Sequence, residues 1–294
     1  MNQQLYTIYS TRLNSITDET IKHAVTALET GQILFCPHYP FIPNTDEKAL
    51  LSESVLNPKQ KNISYDYLKS KVSGLSTSST PETSILMSSF MHRFAEYAQS
   101  LVTTLLPQYS NDLSWGRTSY RPAEIRGRKT SKRKDDTRVH VDAFSSTPVY
   151  GLRILRVFCN INPYGKPRSW DIGEPLNQVI HRFSDQIPQY NATRAKILHW
   201  LKATKTLRSS YDHLMLHLHD KMKLNDQYQQ SIKKIRIDFP AESTWVVFTD
   251  SVSHAALGGQ FLLEQTFYLP INAMENPDLS PLKIWEKVKS EKIS

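Results

Sequence analysis

Two histidines and one aspartate have the types and spacing that best fit a metal site in this sequence. His140 and Asp142 form an H-x-D pair, and His254 follows much later in a strand-then-turn setting. Because residues i and i+2 of a strand point to the same side, both members of the pair can reach one ion. Two imidazoles and one carboxylate leave positions open for a co-substrate and O2, as in non-haem Fe(II) oxygenases. The sequence therefore predicts His140, Asp142 and His254 as the ligands of a catalytic iron.

The co-substrate that oxygenases of this type commonly bind is 2-oxoglutarate, which chelates the metal at one end and presents a free carboxylate at the other. That carboxylate needs a buried cation, and an arginine can bind it through two parallel hydrogen bonds. In many such enzymes an arginine or lysine follows the last ligand closely. Here that stretch reads Glu264-Gln265-Thr266, and the next basic residue is Lys283. The cation is therefore expected from another strand.

Two arginines on the strand after the H-x-D pair are the candidates. Arg153 and Arg156 are three residues apart, so they face opposite sides of a strand and one of them points inward. Burying a charge in an apolar strand is costly without a partner, which favours an anion beside the inward arginine. We prefer Arg156 for the co-substrate, with Asn160 on the same face as a further candidate contact, and Tyr120 is a candidate for a hydroxyl contact to the co-substrate. An edge strand that exposes both arginines is the alternative.

The composition indicates an ordinary globular chain with an anionic partner. Of the 294 residues 39% are hydrophobic, and no apolar run approaches the roughly 18 residues of a membrane span. The N-terminal stretch lacks the apolar core of a signal peptide, so a cytoplasmic protein is expected. The net charge of +8 predicts nucleic acid, an acidic membrane surface or a phosphorylated substrate as the partner.

The elements that must position these residues alternate between helical and strand patterning. The region 1–113 is interpreted as support, with a helix at 17–30, a polar surface excursion at 41–80 and a long helix from Pro81. The residues from 174 to 233 show helical spacing and are predicted to be an insertion between strands. Strands are predicted at 115–120, 149–161, 235–239, 244–248 and 261–269.

Strands on both sides of a helical insertion, with candidate ligands at strand ends, favour one fold class. We predict a single domain over residues 1–294 that is mainly β with helical additions. Its core is a double-stranded β-helix, the jelly-roll and cupin-like barrel, with N-terminal support helices. Antiparallel closure of such a barrel explains how ligands distant in the sequence meet at its mouth.

Several longer blocks resemble a known family from about Trp115 to Pro270. The blocks read RVHVDAF, GLRILRVFCNINP, YDHLMLHLHDKMK and STWVVFTDSVSHAALGGQFLLEQTFYLP, together with GEP at 173–175. They resemble the 3-deoxy-D-manno-oct-2-ulosonic acid (Kdo) 3-hydroxylase family, and they are far more specific than the H-x-D pair alone.

The resemblance implies an enzyme that depends on Fe(II), 2-oxoglutarate and O2 and hydroxylates C3 of a Kdo sugar in lipopolysaccharide. The products would be D-glycero-D-talo-oct-2-ulosonic acid, succinate and CO2. It also implies that the substrate is Kdo attached to lipid A, on the cytoplasmic face of the inner membrane of a Gram-negative bacterium. By the same likeness, His140, Asp142 and His254 are the iron ligands.

The basic surface has a natural interpretation in that setting. The run 121–138 and the basic helix near 196–208 are expected to hold an anionic glycolipid at the membrane surface, without nucleic acid as a partner. Within the run, Arg138 beside the iron ligands is our candidate for a contact to the sugar carboxylate, and Arg121 is a second candidate for substrate binding.

Two other functions remain open at the level of the sequence. One is a 2-oxoglutarate oxygenase that acts on a protein or a nucleic acid and is indifferent to Kdo-lipid A. The other is a metal-free jelly-roll module that binds anionic glycans or nucleic acid, with salt-sensitive affinity and no response to 2-oxoglutarate.

Overall fold

The computed structural model describes residues 4–128 and 130–293. Lys129, which belongs to the basic run, lies outside the described residues. The strands are β1 (Leu5–Thr7), β2 (Ile33–Cys36), β3 (Ile63–Asp66), β4 (Lys71–Ser73), β5 (Ser114–Arg121), β6 (Arg153–Asn160), β7 (Arg168–Pro175), β8 (Ile235–Phe239), β9 (Ser243–Phe248), β10 (Val252–Gly258) and β11 (Leu262–Leu269). The helices are α1 (Asp18–Glu29), α2 (Pro81–Leu105), α3 (Leu176–Phe183), α4 (Ala192–Trp200), α5 (Ser210–Leu224), α6 (Asp226–Ser231) and α7 (Pro281–Lys289).

Two sheets form the core. The larger has the order β1-β2-β9-β6-β11-β5-β3-β4, and the smaller has the order β10-β7-β8. Among the described strands, every pairing is antiparallel except that of β1 with β2. Side chains from both sheets meet in one apolar cluster, in which Phe158 and Trp245 of the large sheet contact Trp170 of the small sheet. This face-to-face packing of antiparallel sheets is a jelly roll, so the predicted fold class is confirmed.

The two N-terminal helices cover the outer face of the large sheet. Leu28 of α1 and Val102 of α2 pack with Val157 and Val246 from the middle of that sheet. The long helix begins as predicted, because Pro81 occupies its first turn and the Thr80 side chain accepts a hydrogen bond from the Thr83 amide. These helices support the wall of the barrel that carries Arg156.

The prediction of a surface excursion at 41–80 is wrong. In this stretch β3 and β4 extend the large sheet, and Phe41, Leu50 and Tyr65 are buried against Phe90 and Phe94 of α2. The sequence conceals this because its apolar residues are few and distributed over 3₁₀ turns and short strands. No stretch is long enough to show a period.

The helical insertion lies between β7 and β8, as its spacing predicts. Leu214, Leu218 and Met222 of α5 are buried in one cluster with Val139 and Val141, the residues on either side of His140. The insertion thus fixes the H-x-D segment from behind. Among the described residues no helix is long and apolar enough to cross a membrane.

Candidate metal centre

The H-x-D segment lies beside β10, and backbone hydrogen bonds fix their register. The His140 amide donates to the His254 carbonyl at 2.9 Å, and the His254 amide donates back to the His140 carbonyl at 2.8 Å. Residues paired in this way in an antiparallel ladder point to the same side. The two imidazoles therefore project together, with ring centroids 4.8 Å apart. The Asp142 amide donates to the Thr249 carbonyl at 2.8 Å, which places the carboxylate next to them.

The three predicted ligands converge. One ligand atom from each of His140, Asp142 and His254 lies within 4.8 Å of the other two. The shortest of these separations that involves Asp142 is 3.6 Å, between its Oδ1 and Nε2 of His140. Among the residues that the structure describes, this is the only group of three or more side chains that could hold a metal ion.

The second nitrogen of each imidazole is occupied by the backbone. Nδ1 of His140 lies 2.7 Å from the Arg138 carbonyl oxygen, and Nδ1 of His254 lies 2.8 Å from the Val252 carbonyl oxygen. A carbonyl only accepts, so each Nδ1 carries the proton and each Nε2 has a free lone pair. Ligating histidines in metal sites are oriented by this kind of contact. Both rings are therefore set to bind a metal through Nε2.

The protonation states also suit a metal. Burial lowers the pKa of His140 well below its usual value, and the nearby His254 and Lys223 lower it further. Burial likewise lowers the pKa of His254. For Asp142, burial alone would raise the pKa, but the guanidinium charge of Arg156 outweighs burial and holds the pKa below its ordinary value. Neutral imidazoles and an ionised carboxylate are the forms that bind a divalent metal.

Arg156 orients the aspartate. Its Nη1 lies 3.2 Å from Oδ2 of Asp142 and 3.1 Å from Oε1 of Glu264. The arginine thus holds one oxygen of Asp142 and leaves the other, Oδ1, directed at His140. Both carboxylates that face Arg156 come from the chain itself, so its charge is balanced within the fold.

The metal-ligating group opens into a cavity of about 300 Å³ between the two sheets. Its apolar wall includes Phe158, Trp170 and Leu262, and the Trp170 ring stacks on His254 with centroids 4.8 Å apart. Its basic lining residues are Lys61, Arg121, Arg133, Lys134, Arg156, Arg168 and Lys223. A larger groove of about 580 Å³ lies elsewhere, between α1, α3 and α7, but it contains none of the candidate ligands. The smaller cavity is therefore the candidate site.

Arg168 is the arginine in this cavity that lacks an anionic partner. It is 2% exposed, and its Nη1 donates to the Gly259 carbonyl at 2.8 Å. Its buried Nε, like that of Arg156, has no hydrogen-bond partner among the described residues. No carboxylate among the described residues lies within ion-pair distance of it. Burial, with repulsion from Arg121, lowers the pKa of Arg168 to about 9. A buried cation in such surroundings is stabilised when an anion binds beside it.

Of the two arginines predicted to bind the co-substrate, the structure brings Arg156 to the cavity and Arg153 to the opposite face of β6. Arg153 is buried in a bidentate pair with Asp250, at 2.8 and 3.0 Å, and lies over the Phe248 ring. The alternation argument is confirmed, because the two side chains face opposite sides. The assignment of Arg153 to the co-substrate is corrected, since its charge is already paired with Asp250.

Tyr120 and Asn160 do not reach the cavity. The Tyr120 hydroxyl donates to the Leu50 carbonyl at 3.0 Å within the cluster that α2 covers. The Asn160 amide nitrogen donates to the carbonyls of Lys166 and Phe239 at 3.0 and 3.1 Å, so it fastens a loop to β8. Both were predicted to contact the co-substrate, and both instead satisfy buried backbone carbonyls.

The two arginines predicted to bind substrate lie in different places. Arg138 turns away from the cavity, donates to the Lys223 carbonyl and pairs with Asp226 at 2.6 Å. Arg138 contributes to the site through its backbone carbonyl, which accepts a hydrogen bond from Nδ1 of His140 and orients that ring. Arg121 does line the cavity, where it donates to Glu264 at 3.0 Å. Only Arg121 is therefore placed to contact a substrate.

Sequence reasoning missed Arg168, Trp170 and Glu264. The first two lie on β7, which was not predicted, although Arg168, Trp170 and Ile172 alternate with polar residues in the period of a half-buried strand. From the sequence, Glu264 stands only as an acid where a carboxylate-binding cation is usual. A charged residue inside the apolar strand β11 was the available signal that two arginines lay opposite it.

Comparison with known proteins identifies relatives over almost the whole chain. A family model described as 3-deoxy-D-manno-oct-2-ulosonic acid (Kdo) hydroxylase matches residues 12–292. No curated protein matches the chain.

Three similar solved structures are of the Kdo hydroxylase KdoO, described as a non-heme Fe(II) alphaketoglutarate dependent dioxygenase. The complex with cobalt(II) is 44% identical, with a TM-score of 0.95, covering 99% of this chain and 97% of that chain. The complex with alphaketoglutarate and Fe(III) is 43% identical, with a TM-score of 0.94, covering 98% and 97%. The complex with succinate and Fe(III) is 43% identical, with a TM-score of 0.94, covering 99% and 97%.

Proposed function

The chain belongs to the Kdo hydroxylase family of Fe(II)- and 2-oxoglutarate-dependent dioxygenases, and we propose that it hydroxylates C3 of a Kdo sugar attached to lipid A. The products are D-glycero-D-talo-oct-2-ulosonic acid, succinate and CO2. The observation that carries the proposal is the convergence of His140, Asp142 and His254 in a cavity that also holds the unpaired Arg168. Family membership favours this function over a non-catalytic glycan-binding module and over an oxygenase for proteins or nucleic acids.

The donor set fits ferrous iron. Two neutral imidazoles and one carboxylate would hold the metal and would leave coordination positions for a co-substrate and O2. Iron bound there, together with 2-oxoglutarate and O2, supplies the oxidising power that places a hydroxyl on an unactivated carbon. The chain contributes His140, Asp142 and His254 as ligands, and Arg156 acts on the metal only through Asp142.

Arg168 fits the distal carboxylate of 2-oxoglutarate better than Arg156 does. It lies two residues from Trp170 on the same face of β7, and Trp170 stacks on His254. Two strand residues span roughly 7 Å, which a five-carbon dicarboxylate that chelates the metal can bridge. The charge of Arg156 is balanced by Asp142 and Glu264, whereas Arg168 has only the Gly259 carbonyl as a partner among the described residues. The revised proposal gives the co-substrate to Arg168 and leaves Arg156 as a positioning residue.

The apolar and the basic parts of the cavity lining have different roles in substrate binding. Phe158, Trp170 and Leu262 exclude water next to the metal position, which protects the reactive centre from side reactions. Lys134 has no carboxylate partner among the described residues and suits the carboxylate of Kdo, whereas Lys61 and Arg121 line the same wall in pairs with Asp136 and Glu264. A sugar acid can thus enter with its anionic group toward the basic residues and its ring toward the metal-ligating group.

We further propose that the protein works in the cytoplasm, peripherally on the inner membrane, where Kdo-lipid A is accessible to it. The net charge of +8 supports this, because lipid A phosphates and anionic lipids attract basic surfaces. The charge alone fits nucleic acid equally well, and membership of the Kdo hydroxylase family is what favours an anionic glycolipid as the partner.

The test is a reconstituted reaction of the purified chain with Fe(II), 2-oxoglutarate and Kdo-lipid A under oxygen-18 gas. Mass spectrometry is expected to show one labelled oxygen in the Kdo sugar and one succinate per product, with no product when 2-oxoglutarate is omitted. Fragmentation of the product locates the hydroxyl at C3. Succinate release that is unaffected by Kdo-lipid A but rises with a protein or nucleic-acid substrate would overturn the proposal.

A further inference from the structure

The segment from α4 to Leu207 exposes large apolar side chains that the fold does not use. Trp200 is 80% exposed, Leu201 60% and Ile197 51%, and Leu207 is also exposed. Trp200 is the most exposed large hydrophobic side chain of the described chain. Along α4 and the residue after it, Ile197, Trp200 and Leu201 have i, i+3 and i+4 spacing, so they form one stripe. Helix α4 buries only Ala195, so this stripe is not part of the core.

The same segment is basic and carries no acid. Arg194, Lys196, Lys202 and Lys205 lie among the apolar residues, and no Asp or Glu occurs between Asp185 and Asp212. None of these four cations pairs with a carboxylate in the part of the chain that the structure describes. A surface that is both apolar and uncompensated in charge is complementary to something apolar and anionic.

An anionic bilayer has that chemistry. Tryptophan concentrates at the level of lipid headgroups, and aliphatic side chains beside it enter the acyl boundary, to a depth of about 5–10 Å. Lysines around them attract anionic headgroups. A second copy of this chain would bring an equally basic surface to the contact, which like-charge repulsion disfavours.

The segment is fastened beside the active-site cavity. The Lys205 amide donates to the Ser146 carbonyl at 2.9 Å, and Nη2 of Arg208 donates to the Ser145 carbonyl at 2.7 Å. These two serines directly follow Phe144, which lines the cavity. A bilayer that contacts Trp200 therefore lies close to the entrance for the substrate.

We infer that residues 192–207 form an interfacial membrane anchor that seats the cavity entrance on an anionic bilayer. The inference rests on the proposed function, because a lipid-linked sugar must be reached at the membrane surface. It adds the element that makes the contact and the class of lipid that it recognises. The lysines provide the selectivity for anionic lipid, and Trp200 with its aliphatic neighbours provides the insertion.

The experiment measures binding of the full chain to vesicles of phosphatidylglycerol and phosphatidylethanolamine, with phosphatidylcholine vesicles as the uncharged comparison. We expect Trp200→Ser to weaken binding to the anionic vesicles about tenfold, because one large apolar side chain no longer inserts. Lys202→Gln and Lys205→Gln are each expected to weaken it about fivefold on anionic vesicles and to change nothing on phosphatidylcholine. Tyr164→Ser, at an exposed aromatic outside the segment, is the matched control and should bind as the unmodified chain does.

Tryptophan fluorescence gives a second readout that does not involve activity. The other four tryptophans are buried or partly buried, so quenching by brominated lipid is expected to come from Trp200 and to vanish in Trp200→Ser. Equal vesicle binding by Trp200→Ser and Tyr164→Ser would overturn the anchor. So would a dimer in solution that Trp200→Ser abolishes while neither protein binds vesicles.

Different results would exclude the membrane anchor and the proposed function. Turnover of detergent-dispersed Kdo-lipid A is expected to be the same for Trp200→Ser and the unmodified chain. Intact vesicle binding by a chain that never hydroxylates Kdo-lipid A would remove the proposed function and leave the anchor. Normal hydroxylation by a chain that ignores vesicles would do the reverse.

Discussion

Two almost fully buried arginines differ in whether a carboxylate of the chain pairs with them. One lies behind the large sheet, and the other lies in the cavity in front of it. Arg153 is 1% exposed and meets both oxygens of Asp250. Arg168 is 2% exposed and meets a single carbonyl. The first arginine is neutralised by the chain and holds the structure together. The second has no carboxylate partner among the described residues, so its charge is available to a bound anion. Whether a carboxylate of the chain pairs with a buried arginine therefore distinguishes a structural arginine from a ligand-binding one.

Arg156 lies between these two cases. It faces the cavity, as Arg168 does, but its charge is balanced by Asp142 and Glu264, as the charge of Arg153 is by Asp250. Orientation toward a cavity is therefore insufficient to assign a ligand. Four substitutions test this comparison between the two regions.

The largest effect is expected at the metal end of the cavity. Asp142→Ala removes the one anionic ligand, so the chain should lose stoichiometric Fe(II) and turnover should fall to background. Iron content and coupled succinate release measure this. Asp278→Ala is the matched control, because Asp278 is an exposed aspartate that lies outside both the cavity lining and the metal-ligating group. Retention of iron by the Asp142 variant would remove this aspartate from the site.

The next effect concerns stability rather than catalysis. Arg153→Gln leaves Asp250 buried without its cation, which should lower the free energy of unfolding by about 3–5 kcal/mol. Denaturant unfolding measures the loss, and the KM for 2-oxoglutarate of the remaining folded enzyme should be unchanged. A stable Arg153 variant with a raised KM would reverse the roles assigned to the two regions.

Arg168→Gln is expected to weaken co-substrate binding and to leave the stability of the fold nearly unchanged. The co-substrate carboxylate loses its charged partner, so the KM for 2-oxoglutarate should rise about 100-fold with little loss of stability, because no carboxylate of the chain is left unpaired. Arg236→Gln is the control, since Arg236 lies on the same small sheet but is exposed and paired with Asp171. Equal KM values for the two variants would contradict the assignment.

The smallest effect is expected at Arg156. Because Arg156 positions Asp142, Arg156→Gln should weaken Fe(II) affinity about tenfold while the KM for 2-oxoglutarate stays near that of the unmodified chain. Anaerobic Fe(II) titration and steady-state kinetics separate the two quantities. If the KM rises and the iron affinity stays constant, the sequence-based preference for Arg156 as the co-substrate residue is right after all.

The sequence was sufficient for those parts of the site that depend on local spacing. His140 and Asp142 share a face because they are two residues apart, and Arg153 and Arg156 face opposite sides because they are three apart. The partners of Tyr120, Asn160 and Arg138 are carbonyls and an acid distant in the sequence, so no local pattern revealed them. The lack of a partner at Arg168 is likewise a property of three dimensions. It became visible only when β7 was placed against β10.

The measurement that tests the central claim most directly is a crystal structure of the chain grown without oxygen in the presence of Fe(II) and 2-oxoglutarate, with anomalous data collected at the iron edge. We expect the iron peak among Nε2 of His140, Nε2 of His254 and a carboxylate oxygen of Asp142, with the distal carboxylate of 2-oxoglutarate against Arg168. Iron bound by other residues would contradict the metal centre. A distal carboxylate paired with Arg156 would contradict the principle that the unpaired arginine binds the ligand.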